Sequence, residues 1–144
     1  MNAGYALRRL NEARKISAER VTVQRHNLVR GPIDIWNRHE FWEHFDLENP
    51  QPVDLSLTEF SNQLIHSWVW SLSATKSAPH RFDGVWVSSD WASKNWLYFV
   101  NAGTLIRLFR AVGLDDVVEI QYQRGSDGLM RVVKATRENS GRTR

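Results

Sequence analysis

The stretch "RHEFWEHFD", residues 38–46, brings two histidines and two glutamates together around aromatic side chains. Imidazole and carboxylate groups are common zinc ligands, and zinc-protease helices place their two histidines four residues apart so that both rings face one metal. Here His39 and His44 are five residues apart, which on a helix turns their side chains about 140° away from each other. The spacing therefore predicts no metal site.

The same stretch fits an amphipathic helix from about residue 35 to residue 46. Phe41, Trp42 and Phe45 would lie within about 100° of arc on that helix, so we expect all three to face the core. The polar residues would form two i,i+4 pairs on the solvent side, His39–Glu43 and Glu40–His44.

Other catalytic sets are not assembled in the sequence. There is no G-x-S-x-G motif and no glycine pattern suited to a phosphate loop, and the chain contains no cysteine. The loop "PHRFDG" offers His80, Arg81 and Asp83 for acid–base chemistry, but loop histidines are more often simply exposed. We therefore expect no enzymatic activity and no cofactor, with an enzyme of unrecognised type as the third hypothesis.

Charge is unevenly distributed along the 144 residues. The net charge is +3 and the isoelectric point is near 9.6. Residues 1–30 are basic, residues 31–60 carry one arginine against seven acids, and residues 101–144 are basic again. Two interpretations stay open: the basic and acidic segments pair within the fold, or the basic residues form a surface for a polyanion.

No apolar run approaches the ~20 residues that span a bilayer. The first residues lack the pattern of a secretory signal. A cytoplasmic protein without membrane contact is the expectation.

The first half of the chain shows mixed periodicity. Helical spacing predicts a helix over about 5–15, "RVTVQRH" alternates like a strand, and "ENPQPVD" reads as a turn or linker. Ser56 and Glu59 have the spacing of a capping box, which predicts a helix start. After His66 the period changes to two, which favours a strand over a helix continuing to residue 72.

The second half predicts two strands ("GVWVSS", "WLYFV") around the turn "DWASKN", a helix ("AGTLIRLFRAV"), and a hairpin ("VVEIQYQ", "LMRVVKAT") around the loop "RGSDG". The sum is an α+β fold, N-terminal helices followed by a ββαββ unit that forms a small antiparallel sheet or a partial barrel. We expect one domain over residues 1–136, with a basic N-terminal segment, and a polar flexible tail at 137–144.

The turn "DWASKNW" contains the most suggestive binding residue. A tryptophan in a turn should either fold back on the core or meet a partner, and tryptophan is enriched in binding hot spots. Trp91, Lys94, Trp96 and Arg81 are accordingly the predicted partner-binding residues.

Residues 104–135 resemble the C-terminal part of AbrB-type DNA-binding modules. The matching pieces are a helix with Arg107 that ends in "AVGL", the strand "DVVEI", a "DG" turn and an apolar return strand. The family's Gly-Arg-x-Thr-x-Pro lead-in is absent, and "WLYFVNAG" stands in its place. The resemblance implies DNA contact and a swapped-hairpin dimer, and a homodimer is compatible with the sequence.

Two function hypotheses lead. The first is a small, soluble, non-catalytic protein of the inhibitor, immunity or adaptor type that binds a macromolecule, most plausibly another protein. The alternative is a nucleic-acid-binding regulator with a basic surface. Its predicted contact residues are Arg107, Arg110, Arg131 and Lys134.

Overall fold

The computed structural model describes residues 2–12, 20–114 and 117–137. The elements in chain order are α1 (Asn2–Glu12), β1 (Arg20–Asn27), a 3₁₀ helix (Arg38–Glu43), β2 (Gln51–Ser56), α2 (Leu57–Ile65), β3 (Ser67–Ala74), β4 (Phe82–Ser89), a second 3₁₀ helix (Ala92–Lys94), β5 (Trp96–Asn101), α3 (Ala102–Leu114), β6 (Val117–Arg124) and β7 (Met130–Arg137).

Five strands form one antiparallel sheet in the order β2-β1-β5-β4-β3. The register sets Trp86 of β4 beside Phe99 of β5, and Val87 beside Tyr98. Because side chains alternate across a strand, these two pairs lie on opposite faces of the sheet. The α+β class with an antiparallel sheet is confirmed.

Three helices cover one face of this sheet and form the larger core. Leu7 of α1, Phe60 of α2 and Leu108 of α3 are buried there against Val87 and Val100 of the central strands. Phe60 is completely buried, which stabilises the fold by about 1.5–3 kcal/mol relative to leaving it in water. The capping box predicted at the start of α2 is present, since the Ser56 side chain accepts a hydrogen bond from the Glu59 N–H.

The opposite face carries a smaller core near one end. Phe41 and Phe45, from the chain between β1 and β2, pack there with Val69 and Leu97. The Trp86 ring lies 5.9 Å from Phe41 and 4.6 Å from Phe99.

The α-helix predicted over 35–46 is wrong. The Asp34 carboxylate accepts hydrogen bonds from the N–H groups of Trp36 and Asn37, as a helix N-cap does, but after one turn the hydrogen bonds change to the i−3 type, as from the Glu40 N–H to the Asn37 carbonyl oxygen. The following 3₁₀ helix is interrupted at Glu40, whose φ and ψ of −105° and 30° are not helical. This change in backbone geometry turns the Trp42 side chain toward solvent, where it is 53% exposed. Only two of the three aromatic residues expected in the core, Phe41 and Phe45, are therefore buried.

Two boundaries also differ. Part of the predicted linker "ENPQPVD" forms β2, because pairing with β1 satisfies the backbone of residues 51–56. Residues 82–84, expected in a loop, begin β4. The strand predicted after His66 is confirmed as β3.

The hairpin of β6 and β7 forms its own two-stranded sheet. Its turn uses Gly128 at φ +77°, a conformation that side-chain-bearing residues rarely adopt, and the Asp127 carboxylate accepts the Leu129 N–H. Residues 138–144, most of the predicted tail, lie outside the described residues. None of the helices in the described ranges has the length and apolar character needed to cross a membrane.

Candidate functional site

The histidine and glutamate cluster at residues 39–44 does not form the predicted i,i+4 pairs. Glu43 instead forms an ion pair with Arg30 at 3.0 Å, and His39 lies 3.7 Å from Glu40. The 3₁₀ geometry is the cause, since it places residues three rather than four apart above each other. Across residues 2–12, 20–114 and 117–137, no three histidine, aspartate or glutamate side chains converge as metal ligands would.

The connection between β4 and β5 is anchored by its smallest residues. Ala92 is fully buried and Ser93 is 3% exposed, whereas Trp91 is 63% exposed. Of the two readings that the sequence left open for Trp91, inward packing and exposure to a partner, the structure therefore has Trp91 on the surface.

Hydrogen bonds hold this connection in one conformation. The Asp90 carboxylate accepts the Trp91 N–H at 2.8 Å, and the Ser89 hydroxyl accepts the Ala92 N–H at 3.2 Å. The Gln63 side chain of α2 accepts the Ser89 N–H at 2.9 Å, which joins the loop to the helix layer. Trp91 thus projects from a rigid support, which reduces the entropy lost on binding.

Trp91 and Trp96 form an edge-to-face pair with ring centroids 5.7 Å apart. The Arg25 guanidinium lies 5.5 Å from the centroid of the Trp96 ring, within the range of a cation–π interaction. Lys94 is exposed in the same short loop. Three of the four predicted contact residues are therefore close together.

The fourth predicted contact residue, Arg81, is not part of this group. Arg81 precedes β4, whereas Trp91 follows it, so about 25 Å of strand separates them at ~3.3 Å per residue. The strand between them holds Arg81 and Trp91 at its opposite ends.

A cleft of about 430 Å³ lies beside Trp91, between α2 and the sheet. Its walls combine aromatic and polar side chains, including Glu59, Gln63, His66, Asp90, Trp96 and Tyr98. Hydrogen bonds from Ser56 lower the pKa of Glu59, so its carboxylate is charged at neutral pH. Burial raises the pKa of the Tyr98 hydroxyl above its ordinary value, so this group stays protonated.

The predicted nucleic-acid contacts fall on two elements. Arg107 and Arg110 project from α3, and Arg107 shares a shallow groove of about 220 Å³ with Arg20. Arg131 and Lys134 belong to β7, where Arg131 forms an ion pair with Asp127. Within the described part of the chain, no hydrogen bond or ion pair links the α3 arginines to the two hairpin residues.

Sequence reasoning missed the most exposed aromatic residue. Trp36 is 83% exposed, and its neighbour Ile35 is 58% exposed, on the turn fixed by Asp34. Asp34 and Asn37, which follow Gly31-Pro32 closely, could have indicated this turn in the sequence, since these residue types favour turns.

A second missed surface consists of exposed apolar side chains on β3, β4 and α3. We call it the β3–α3 apolar surface, and its members are Trp70, Leu72, Phe82, Ile106 and Phe109. The alternation of residues 68–72 indicated a strand but not that this strand would lie at a sheet edge.

No protein-family model, curated protein or solved structure matches this chain. Functional inference therefore depends on the geometry of its own residues.

Proposed function

We propose that this protein is a non-catalytic binding protein of the inhibitor, immunity or adaptor type, which acts in the cytoplasm on a protein partner. One observation carries the proposal. Trp91 is 63% exposed on a loop that Ala92 and Ser93 already anchor, so most of its side chain can contact a partner. Tryptophan is enriched among the few interface residues that contribute most of the binding energy.

The surroundings of Trp91 favour a protein over a nucleic acid at this surface. The adjacent cleft contains the carboxylates of Glu59 and Asp90, which would repel a phosphate backbone. Its mixture of aromatic and polar walls suits a partner side chain, which can combine apolar contact with a hydrogen bond. Lys94 would lie at the rim, where a charge contributes more to association rate than to affinity.

Trp91→Ala tests this proposal. We expect a tagged wild-type chain to capture a protein from nuclease-treated extract of its source cells, and the variant to lose it. Because Trp91 is largely exposed, its removal should lower the melting temperature by no more than a few degrees.

Trp42→Ala is the matched control, since Trp42 is 53% exposed on a different segment. It should retain the captured protein. Capture that is independent of Trp91 contradicts the proposal, and so does a large drop in the melting temperature of Trp91→Ala.

A nucleic-acid-binding regulator is the second candidate, supported by the groove that Arg20 and Arg107 share. The AbrB-like resemblance of residues 104–135 belongs to this candidate. Affinity for duplex DNA should then fall steeply with salt, and Arg107→Ala should reduce the log–log slope by about 0.9 per lost phosphate contact. Absence of binding to random DNA and RNA at low salt would end this candidate.

A further inference from the structure

The two edges of the five-stranded sheet differ in composition. At one edge, β2 contains Pro52, which has no N–H to offer, and Asp54, a charged side chain. Natural proteins use these residue types to prevent an edge strand from pairing with another chain. At the other edge, the eight residues of β3, "SWVWSLSA", include no charge and no proline. The β3 edge is therefore open to pairing and the β2 edge is guarded.

Large apolar side chains accompany the open edge. Trp70 and Leu72 of β3 are 54% and 63% exposed on the side that the helices cover elsewhere. A depression of about 450 Å³ next to Trp70 is lined by Leu105 and Phe109 of α3. The same two residues line a second depression with Phe82 and Ile106, so the β3–α3 apolar surface is continuous.

The surface is large enough for a stable contact. From the exposed fractions of its five side chains, and an area of ~150–250 Å² for each aromatic one, it presents on the order of 500 Å². If the contact covers this surface on both copies, it buries about 1,000 Å², which is the lower size of specific protein interfaces.

We propose that β3 pairs antiparallel with β3 of a second copy of this chain, about a two-fold axis through Ser71. The sheets of the two copies then join into one of ten strands. This interface is separate from the Trp91 surface and does not depend on the function proposed for it.

The register follows from β3 itself. Pairing with β4 is irregular at Ser67/Val69 and at Ser73/Ala74, which leaves residues 69–73 as the regular stretch, centred on Ser71. With Ser71 on the axis, Trp70 of each copy lies opposite Leu72 of the other, and both side chains are on the helix side. A slip by one residue would oppose Trp70 to Ser71, whose side chains are on different faces.

A second copy fits better than an unrelated strand because the pairing is self-complementary. Identical strands bring identical charges together, and β3 carries none, so no repulsion opposes the contact. The apolar pair of Trp70 and Leu72 is formed twice, once on each side of the axis.

Oligomeric state against concentration tests the proposal, by sedimentation of the whole chain from about 1 to about 100 μM, where an interface of this area should associate. We expect a dimer for the wild type. Leu72→Lys should raise the dimer dissociation constant by at least about tenfold, because each copy then places an ammonium group opposite Trp70 of the other.

Leu129→Lys is the matched control, since Leu129 is 62% exposed in the hairpin, far in sequence from β3. This variant should dimerise like the wild type. A wild type that stays monomeric overturns the proposal, as does equal association of the Leu72→Lys and Leu129→Lys variants.

Cross-linking tests the register. The chain has no cysteine, so Ser71→Cys introduces a single thiol, and antiparallel neighbours directly opposite have Cβ atoms about 5 Å apart. We expect mild oxidation to link Ser71→Cys chains into covalent dimers much faster than Ser73→Cys chains, whose thiols would be several residues apart. Equal or reversed rates would exclude the axis at Ser71.

Discussion

His26 donates its Nδ1 proton to the main-chain carbonyl oxygen of Asp46 at 2.9 Å. The imidazole is 2% exposed, and its ring packs edge-on against Trp86 at 5.1 Å. The bond spans 20 residues and ties β1 to the end of the segment that covers the smaller core. This buried side chain thus adds to the main-chain hydrogen bonds that hold the covering segment on the sheet, such as the one from the Asp46 N–H to the Asn27 carbonyl oxygen.

We expect His26→Phe to lower the free energy of unfolding by about 0.5–1.5 kcal/mol, because the ring volume is kept while the partly buried hydrogen bond to the Asp46 carbonyl oxygen is lost. Urea denaturation measures the change. His39→Phe, on the exposed part of the same segment, should stay within about 0.5 kcal/mol of the wild type. Equal effects of the two substitutions would contradict the role of the His26–Asp46 bond.

Substitution by alanine should change the stability of the fold in opposite directions at Gly84 and at Gly113. A Cβ at Gly84 would lie 2.8 Å from the Phe99 ring and would also meet the backbone of Val100, so Gly84→Ala should destabilise the fold by about 1–3 kcal/mol. A Cβ at Gly113 meets no atom within 4 Å, and alanine favours a helix, so Gly113→Ala should stabilise by up to about 1 kcal/mol. Thermal denaturation of both variants tests the pair, and a stabilising Gly84→Ala would refute the close packing of β4 against β5.

The capping box of α2 predicts a pH dependence. Hydrogen bonds from Ser56 lower the pKa of Glu59 below its ordinary 4.5. The stability that the ionised carboxylate contributes is therefore present above pH 4.5 and is lost as the pH falls through the lowered pKa. The melting temperature of Glu59→Gln should thus lie below that of the wild type near neutral pH, and the gap should shrink as the pH falls through the lowered pKa of Glu59.

Glu48→Gln is the control for this experiment. Its side chain makes no hydrogen bond or ion pair to the described residues, so the gap between this variant and the wild type should be small. If both gaps change equally with pH, the capping box is not the source.

Phe41 and Trp42 are adjacent in sequence but differ in burial, at 6% and 53% exposed. Phe41→Ala should cost about 3–5 kcal/mol of unfolding free energy, because it empties a position in the smaller core. Trp42→Ala should cost about 1 kcal/mol or less. Chemical denaturation measures the unfolding free energies of the two variants. A larger loss for Trp42→Ala would contradict the observed burial and would favour the amphipathic helix expected from the sequence.

Local patterns predicted most of the elements. The switch from helical to alternating spacing after His66 located β3, and the Ser56–Glu59 spacing located the start of α2, because both signals act within a few residues. The α-helix expected from residue 35 to 46 does not form because the hydrogen bonds change to the i−3 type and Glu40 leaves helical φ and ψ, although the apolar spacing of the segment fits an α-helix.

The candidate surface was only partly predictable. The exposure of Trp91 depends on the loop turning Ala92 and Ser93 inward instead, which no local pattern reveals. The distance between Arg81 and Trp91, and the edge position of β3, depend on which strands become neighbours in the sheet. Strand order results from contacts between residues that are distant in sequence.

The contrast between the Pro52–Asp54 edge and the β3 edge limits how many chains can join into one sheet. In the terms of polymer chemistry, the five-stranded sheet of the folded chain is monofunctional, because its β3 edge is open to pairing with another chain and its β2 edge is guarded. Pairing through β3 consumes the reactive end of both copies, so the joined sheet terminates at two chains and cannot elongate into a fibre.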